Sequence, residues 1–315
     1  MRFRTELMPN KSNIPIGYRD KLLLMGSCFA DHLGDRLYKS KFDALVNPLG
    51  TFFNPVSATQ LMDVLHSGTQ ITEEELLQRD GIFVHPLFHS RFNHSDASGM
   101  LHLVNTALDQ TRNFLEKATC VFLTLGTSWV YENLQSASIV SNCHKLPQSL
   151  FRKRLLTLEE SKTAILAFAN SLKALNPNCR LILTLSPVRH LKDGFENNQL
   201  SKAILRLAIH ECMQNDVAVS YFPTYELVLD DLRDYRFYTE DLLHPNDLAI
   251  RYIWEKFVEC YFDENTKTIL DKVDDINQYL SHRKVSSDHH DATATARIRD
   301  KIIEINPLLG RTFDV

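Results

Sequence analysis

The sequence predicts a three-layer α/β/α fold built on a mostly parallel five-stranded sheet. Two observations carry this. Short apolar runs alternate with amphipathic, helix-period stretches along most of the chain. Three of those runs, residues 21–25, 120–125 and 180–185, are continuously apolar rather than alternating, the pattern of strands covered on both faces.

Taken in order, the first strand is residues 21–25, and Phe29, Leu33 and Leu37 then share one helical face. A second strand falls at 44–47. Residues 61–66 and 73–78 read as helical, and 81–92, with Phe83, His85, Phe88, His89 and Phe92, as an insertion over the active-site end of the sheet. The third strand is 120–125. Thr157-Leu158-Glu159-Glu160 is a capping box that opens a helix to about residue 175, where Asn176-Pro177 ends it. A fourth strand at 180–185, a helix at 199–213 and a fifth strand at 217–222 follow. The helix at 249–262 starts behind Pro245, a residue suited to a first turn. We divide the chain into one domain, 1–262, and a C-terminal helical extension, 263–315. In the extension, 264–282 is helical, 281–295 is a polar connector, and 298–309 docks back through Ile302, Ile303 and Ile305.

Composition narrows the function classes. With 44% hydrophobic and 23% charged residues the 315-residue chain is an ordinary globule with room for a sizeable core. A net charge of −4 leaves no basic footprint for nucleic acid. No run approaches the roughly 18 apolar residues of a membrane helix, and Met1-Arg2-Phe3-Arg4-Thr5-Glu6 leads into no signal-peptide core. A cytoplasmic location is expected. The six cysteines form no C-x-x-C pair, so zinc-ribbon and thioredoxin chemistry are not indicated. Cys120 and Cys179 open apolar runs and are expected in the core. His85 and His89 are spaced i,i+4, but Pro86 interrupts a helix there, and Asp288-His289-His290-Asp291 lies in the polar connector. No metal or other cofactor is expected. The sequence carries no signal of oligomeric state.

Two stretches carry chemistry. Leu22-Leu23-Leu24-Met25-Gly26-Ser27-Cys28-Phe29-Ala30 is a buried strand that stops at a glycine and turns into a helix, with Ser27 and Cys28 at the turn. A side chain there projects into the crevice at the carboxyl ends of the strands. The free N–H groups of the helix that follows are expected to lower a thiol's pKa and to favour an oxyanion. Far downstream, Asp241-Leu242-Leu243-His244-Pro245-Asn246 lets one loop hold an acid and a base, the carboxylate fixing the imidazole tautomer. Nucleophile, His and Asp together form the set needed for acyl transfer. The plainer alternatives are a small-residue turn kept for packing and a loop in which Asp241 binds backbone amides. Ser186-Pro187-Val188-Arg189-His190 ends the fourth strand. Arg189 there suits a substrate carboxylate or phosphate, or an internal salt bridge to Asp230, Asp231 or Asp234. Asn142, His144 and Lys145 form a polar cluster after the third strand, as loop residues or substrate contacts.

Gly26-Ser27-Cys28-Phe29-Ala30 spells the motif that names the GSCFA family, which resembles a branch of the SGNH (GDSL-type) hydrolases. Asn47-Pro48-Leu49-Gly50-Thr51, Thr124-Leu125-Gly126-Thr127, Asn142-Cys143-His144-Lys145 and Ser186-Pro187-Val188-Arg189-His190 are also similar to GSCFA proteins. The ordered set runs to about residue 260. The resemblance implies a flavodoxin-like sheet order. Ungapped against G-D-S, it puts Cys28, not Ser27, at the nucleophile position, with Asp241 and His244 as acid and base. Both the aspartate and the serine of that block are replaced here, and His32 stands where it often has glycine, so plain serine-esterase chemistry is in doubt. Gly50 maps onto the second-block glycine as an oxyanion donor. Gly126 matches the third block, but Ser128 takes its asparagine position, leaving Thr127, Ser128 or Asn54 as further donors. The expected activity is acyl-ester hydrolysis or acyl transfer by Cys28 (or Ser27), His244 and Asp241. The expected partner is a small-molecule or glycan acyl substrate, such as an O-acylated sugar, with neither nucleic acid nor membrane. The rival is a non-catalytic ligand- or glycan-binding protein on the same fold.

Overall fold

A computed structural model describes residues 4–215, 218–285 and 292–313. Its centre is a parallel sheet of β1 (Lys21–Gly26), β2 (Asp43–Val46), β5 (Cys120–Leu125), β9 (Arg180–Leu185) and β10 (Val219–Phe222), in the order β2-β1-β5-β9-β10. Register is continuous across it: Gly26 pairs with Thr124, and Thr124 with Thr184. The chain leaves β1 toward β2 on one side and returns to β5 on the other. That reversal is the switch point at which open α/β sheets hold ligands beyond the strand ends.

Alternate residues of each strand feed two cores. Leu23, Met25, Val121, Leu123, Leu181 and Leu183 face α2 (Pro55–Ser67), α3 (Ala97–Leu115), α4 (Leu158–Leu175) and α5 (Phe195–Asn215). Leu22, Leu24, Phe122, Ile182 and Phe222 face α1 (Phe29–Lys39), α7 (Asp247–Tyr261), α8 (Glu264–Val285) and α9 (Ala292–Leu309). A short helical turn, α6 (Thr224–Glu226), follows β10. This is the α/β/α arrangement expected from the doubly covered strands. Phe29, Leu33 and Leu37 are buried as expected, as are Cys120 and Cys179. In the Thr157 capping box both reciprocal bonds form.

Several expectations change. Residues 73–78 are not a helix: one 3₁₀ turn, Glu73–Glu75, leads into β3 (Leu77–Arg79), which pairs with β4 (Ile82–Val84). Asp80 and Gly81 between them both take positive φ, 48° and 77°, the two-residue turn that suits a hairpin's twist. Residues 129–155 form an antiparallel sheet not read from the sequence, β7-β6-β8, from β6 (Trp129–Asn133), β7 (Ile139–Val140) and β8 (Phe151–Leu155). In the C-terminal part, α8 runs to Val285 and α9 begins at Ala292, so most of the expected connector is helical. Residues 286–291, including the Asp288–Asp291 cluster, lie outside those described. Ile305 is buried and Ile302 packs on the second core, but Ile303 is exposed. Among the described residues no helix is long and apolar enough to cross a membrane.

Candidate active site at the switch point

Beyond the end of β1 the chain turns in a way that only glycine permits. Gly26 has φ +124°, and a Cβ there would lie 2.1 Å from the Thr124 carbonyl oxygen. Its N–H donates to Asn47 Oδ1 at 2.9 Å, and Asn47 Nδ2 donates to Asp31 Oδ1 at 2.7 Å. Buried Asn47 thus pins the β1 turn to the first turn of α1 from the end of β2.

The two nucleophile candidates separate here. Ser27 is 1% exposed, and its Oγ turns back to accept the Phe29 N–H. Cys28, at the N-cap of α1, is partly exposed. Contrary to the helix-terminus expectation, its thiol is pushed up. Burial is the main cause and the Asp31 carboxylate adds to it; the N–H groups of Cys28 and Phe29 and the Lys202 ammonium oppose. Removal from water disfavours a thiolate more than the helix end favours it.

On the loop before α7, His244 Nδ1 lies 2.6 Å from Asp241 Oδ2. Asp241 Oδ1 accepts the Thr239 hydroxyl and the N–H groups of Leu243 and His244, at 2.6, 2.8 and 3.0 Å. The Thr239 bond first, then the two amides and the imidazole, hold the carboxyl well below the usual range. The loop is tied to the end of β9 by the Arg189 N–H, which donates to the Leu243 carbonyl. Asn246 Oδ1 caps α7 through Leu248 and Ala249. His32 and His190 both lie within electrostatic reach of His244, so the imidazole is flanked by the start of α1 and the end of β9. Among the described residues no hydrogen bond joins Cys28 to His244.

The donors expected for an oxyanion are committed elsewhere. The Gly50 N–H donates to Asn47 O, and its φ of +85° and closeness to His89 are those of a tight turn. The N–H groups of Gly126 and Thr127 both donate to Phe53 O. Ser128 donates its N–H to Ser201 Oγ at 2.8 Å and its hydroxyl to Ser201 O at 3.1 Å, while Thr127 Oγ1 lies 2.9 Å from Ser201 Oγ. Asn54 caps α2, accepting from Ser57 N and donating to Ser57 Oγ. Each of these polar groups fixes a turn. Asn142 and His144 do likewise: Asn142 Oδ1 accepts the His144 N–H, and His144 Nε2 pairs with the His85 carbonyl. His85 and His89 each accept a backbone N–H two residues on, as turn caps. Among the described residues no three His, Cys, Asp or Glu side chains converge as metal ligands. The 81–92 segment does pack on the strand ends, where Arg91 donates to the carbonyls of Asn47 and Pro48.

Arg189 forms no bridge to the 230–234 acids. Asp231 pairs with Arg4 and Asp234 with Arg236, while the Arg189 guanidinium lies over the rings of Tyr238 and Tyr235, at 4.3 and 5.1 Å. His190 packs on Phe53, with Nε2 buried and, among the described residues, without a hydrogen-bond partner, and burial pushes the imidazole's pKa down to about 4.

Sequence reasoning missed Lys202. It lies on α5, only 2% exposed, and its Nζ donates to the Ser186 carbonyl at 2.6 Å. The signal was present: Asn198, Ser201 and Lys202 occupy the same helical stripe as Leu205, Ala208, Ile209 and Cys212. Polar residues at the start of an apolar stripe mark where it passes under the strand ends.

The family model described as the GSCFA family matches residues 21–257. A search of curated proteins finds no match. Among solved structures, the chain is similar to a candidate platelet activating factor from Streptococcus pneumonia, at 12% identity and a TM-score of 0.41, covering 77% of this chain and 84% of that one. It is also similar to an acetyl xylan esterase, Est2A, from the rumen bacterium Butyrivibrio proteoclasticus, at 13% identity and a TM-score of 0.38, covering 79% and 64%.

Proposed function

The chain belongs to the GSCFA family, and we propose that it is an acyl-ester hydrolase or acyltransferase with Cys28 as nucleophile, His244 as base and Asp241 as orienter. The observation that carries this reading is the Asp241 clamp on His244. A carboxylate already filled by a hydroxyl and two amides, and 2.6 Å from Nδ1, leaves Nε2 free to exchange a proton. The inward turn of Ser27 supports Cys28 over Ser27.

In this reaction Cys28 Sγ bonds to the carbonyl carbon of the ester as its proton passes to His244 Nε2. The C–O bond then breaks, and the leaving alkoxide takes that proton. Water, or a hydroxyl or amine, next attacks the thioester, giving its proton to His244, which returns it to the thiolate. With the expected donors engaged, the Cys28 amide at the head of α1 is the group we assign to the developing oxyanion. An O-acylated sugar is the substrate class that the family resemblance supports. The engagement of Gly50, Gly126, Thr127, Ser128 and Asn54 favours a second reading, a ligand-binding protein that does not turn over.

Intact mass spectrometry after incubation with activated acyl esters tests both. We expect an acyl adduct on the parent and on Ser27→Ala, absent from Cys28→Ala and strongly slowed in His244→Ala. An adduct lost in Ser27→Ala instead would restore a serine nucleophile. No adduct across short and long acyl chains would favour the binding protein.

A further inference from the structure

Arg189 is a cation without an anion. It is half-buried just past the end of β9, and among the described residues no carboxylate pairs with it. Acids on the elements around it bind other cations: Asp193 pairs with Lys153, Glu226 with Arg206, Asp234 with Arg236 and Asp241 with His244. The guanidinium instead lies over two rings, 4.3 Å from the centre of Tyr238 and 5.1 Å from that of Tyr235. Such contacts engage the face of a guanidinium, whereas its N–H fork lies at the edge. Tyr238 is 7% exposed and Tyr235 58%, so the cation is seated on a buried ring and opens toward solvent beside an exposed one.

Contacts tie this cation to the catalytic loop on both sides of His244. The Arg189 N–H donates to the carbonyl of Leu243, the residue before it, at 3.2 Å. Tyr238, on which the guanidinium rests, forms a β-bridge with Pro245, the residue after it. The next N–H, from Thr239, donates to the His244 carbonyl at 2.8 Å. In the reaction proposed above, His244 hands its proton to the leaving alkoxide, so the alcohol part of the ester lies on the His244 side of the bond that breaks. A cation seated on the same loop meets the alcohol rather than the acyl chain.

We propose that Arg189 determines substrate specificity: its guanidinium binds a carboxylate on the alcohol part of the ester, so the preferred substrates are O-acylated acidic sugars or hydroxy acids. A carboxylate pairs edge-on with two N–H groups of the fork, a geometry that an ammonium does not offer. The proposal rests on the acyl-ester reading, and its test separates the two.

The experiment compares para-acetoxybenzoate with its methyl ester, which differ in the charge of the alcohol part, on the full chain. The ratio of kcat/KM, anionic over neutral, should fall about tenfold in Arg189→Met. It should fall less in Arg189→Lys, which keeps the charge but not the fork. Both variants retain the N–H that holds Leu243, and a purely structural role would slow the two esters alike. An unchanged ratio would overturn the proposal. A ratio that falls only for para-acetoxyphenyl phosphate would give the fork to a phosphate and overturn the carboxylate. Binding is then read without turnover or an Arg189 variant, which also decides the matter should Arg189→Met fail to fold. In Cys28→Ala, para-hydroxybenzoate should slow phenylglyoxal labelling of Arg189, located by peptide mapping, and para-hydroxybenzamide should not. Protection without ester turnover in the parent would support the anion site and count against the acyl-ester reading. Absence of protection, with or without turnover, would overturn the site.

Discussion

At the scale of single residues, the site depends on the backbone of Gly26 before any side chain acts. At φ +124° an L-residue is strained, and the Thr124 carbonyl already occupies the place of a Cβ. Replacing Gly26 by Ala must open the β1–β5 pairing at the rung that carries Ser27 and Cys28 outward. We expect Gly26→Ala to cost roughly 2–4 kcal/mol, read from the urea midpoint of parent and variant. A change under about half a kcal/mol would mean that the turn is softer than its geometry indicates. This requirement was legible in the sequence as an apolar strand stopping at glycine. Which of Ser27 and Cys28 turns back under the Phe29 amide was legible only through the family motif, because the local pattern of two small polar residues at a turn does not distinguish them.

At the scale of elements, pattern-borne features were read well and contact-borne features were not. The α4 capping box was legible because its signal is local, four residues bonding to one another. Residues 73–78 were misread because three glutamates and two leucines carry helix propensity, while the Asp80-Gly81 turn decides for a hairpin. The oxyanion donors were named from motif position, yet whether an amide is free depends on distant partners such as Phe53 and Ser201. Ser201 shows how much one such partner does, since its hydroxyl receives the Ser128 N–H and meets the hydroxyls of Thr127 and Ser128. Ser128 is fully buried. In Ser201→Ala its N–H would be left in the interior without an acceptor, at a cost of about 1–3 kcal/mol. Calorimetry should show that loss. A variant as stable as the parent would mean that the turn after β5 finds another acceptor.

At the scale of the whole molecule, histidines make the fold acid-sensitive. His32, His85, His89, His144 and His190 all have proton affinities lowered chiefly by burial. His85 is the clearest case, 9% exposed, its Nδ1 accepting the Leu87 N–H and its ring against Phe88, with a pKa pushed down to about 4. An unfolded histidine takes its proton near 6.5. Between 6.5 and 4 the unfolded chain therefore binds more protons than the folded one, and stability must fall as pH falls through that window. Asp31 and Asp274, raised by burial, work in the opposite sense, but only from the pH at which carboxyls begin to take protons. For His85 alone the loss is about 2 kcal/mol at pH 5 and roughly 3 kcal/mol when fully developed. We expect unfolding free energy to drop between pH 7.5 and pH 5, and to drop by about 2 kcal/mol less in His85→Asn, whose amide can still accept the Leu87 N–H but takes no proton. Paired urea titrations at the two pH values measure the difference. If parent and His85→Asn lose the same free energy, His85 takes its proton as readily in the folded chain as in the unfolded one, and the 81–92 segment packs more openly on the strand ends than its burial indicates.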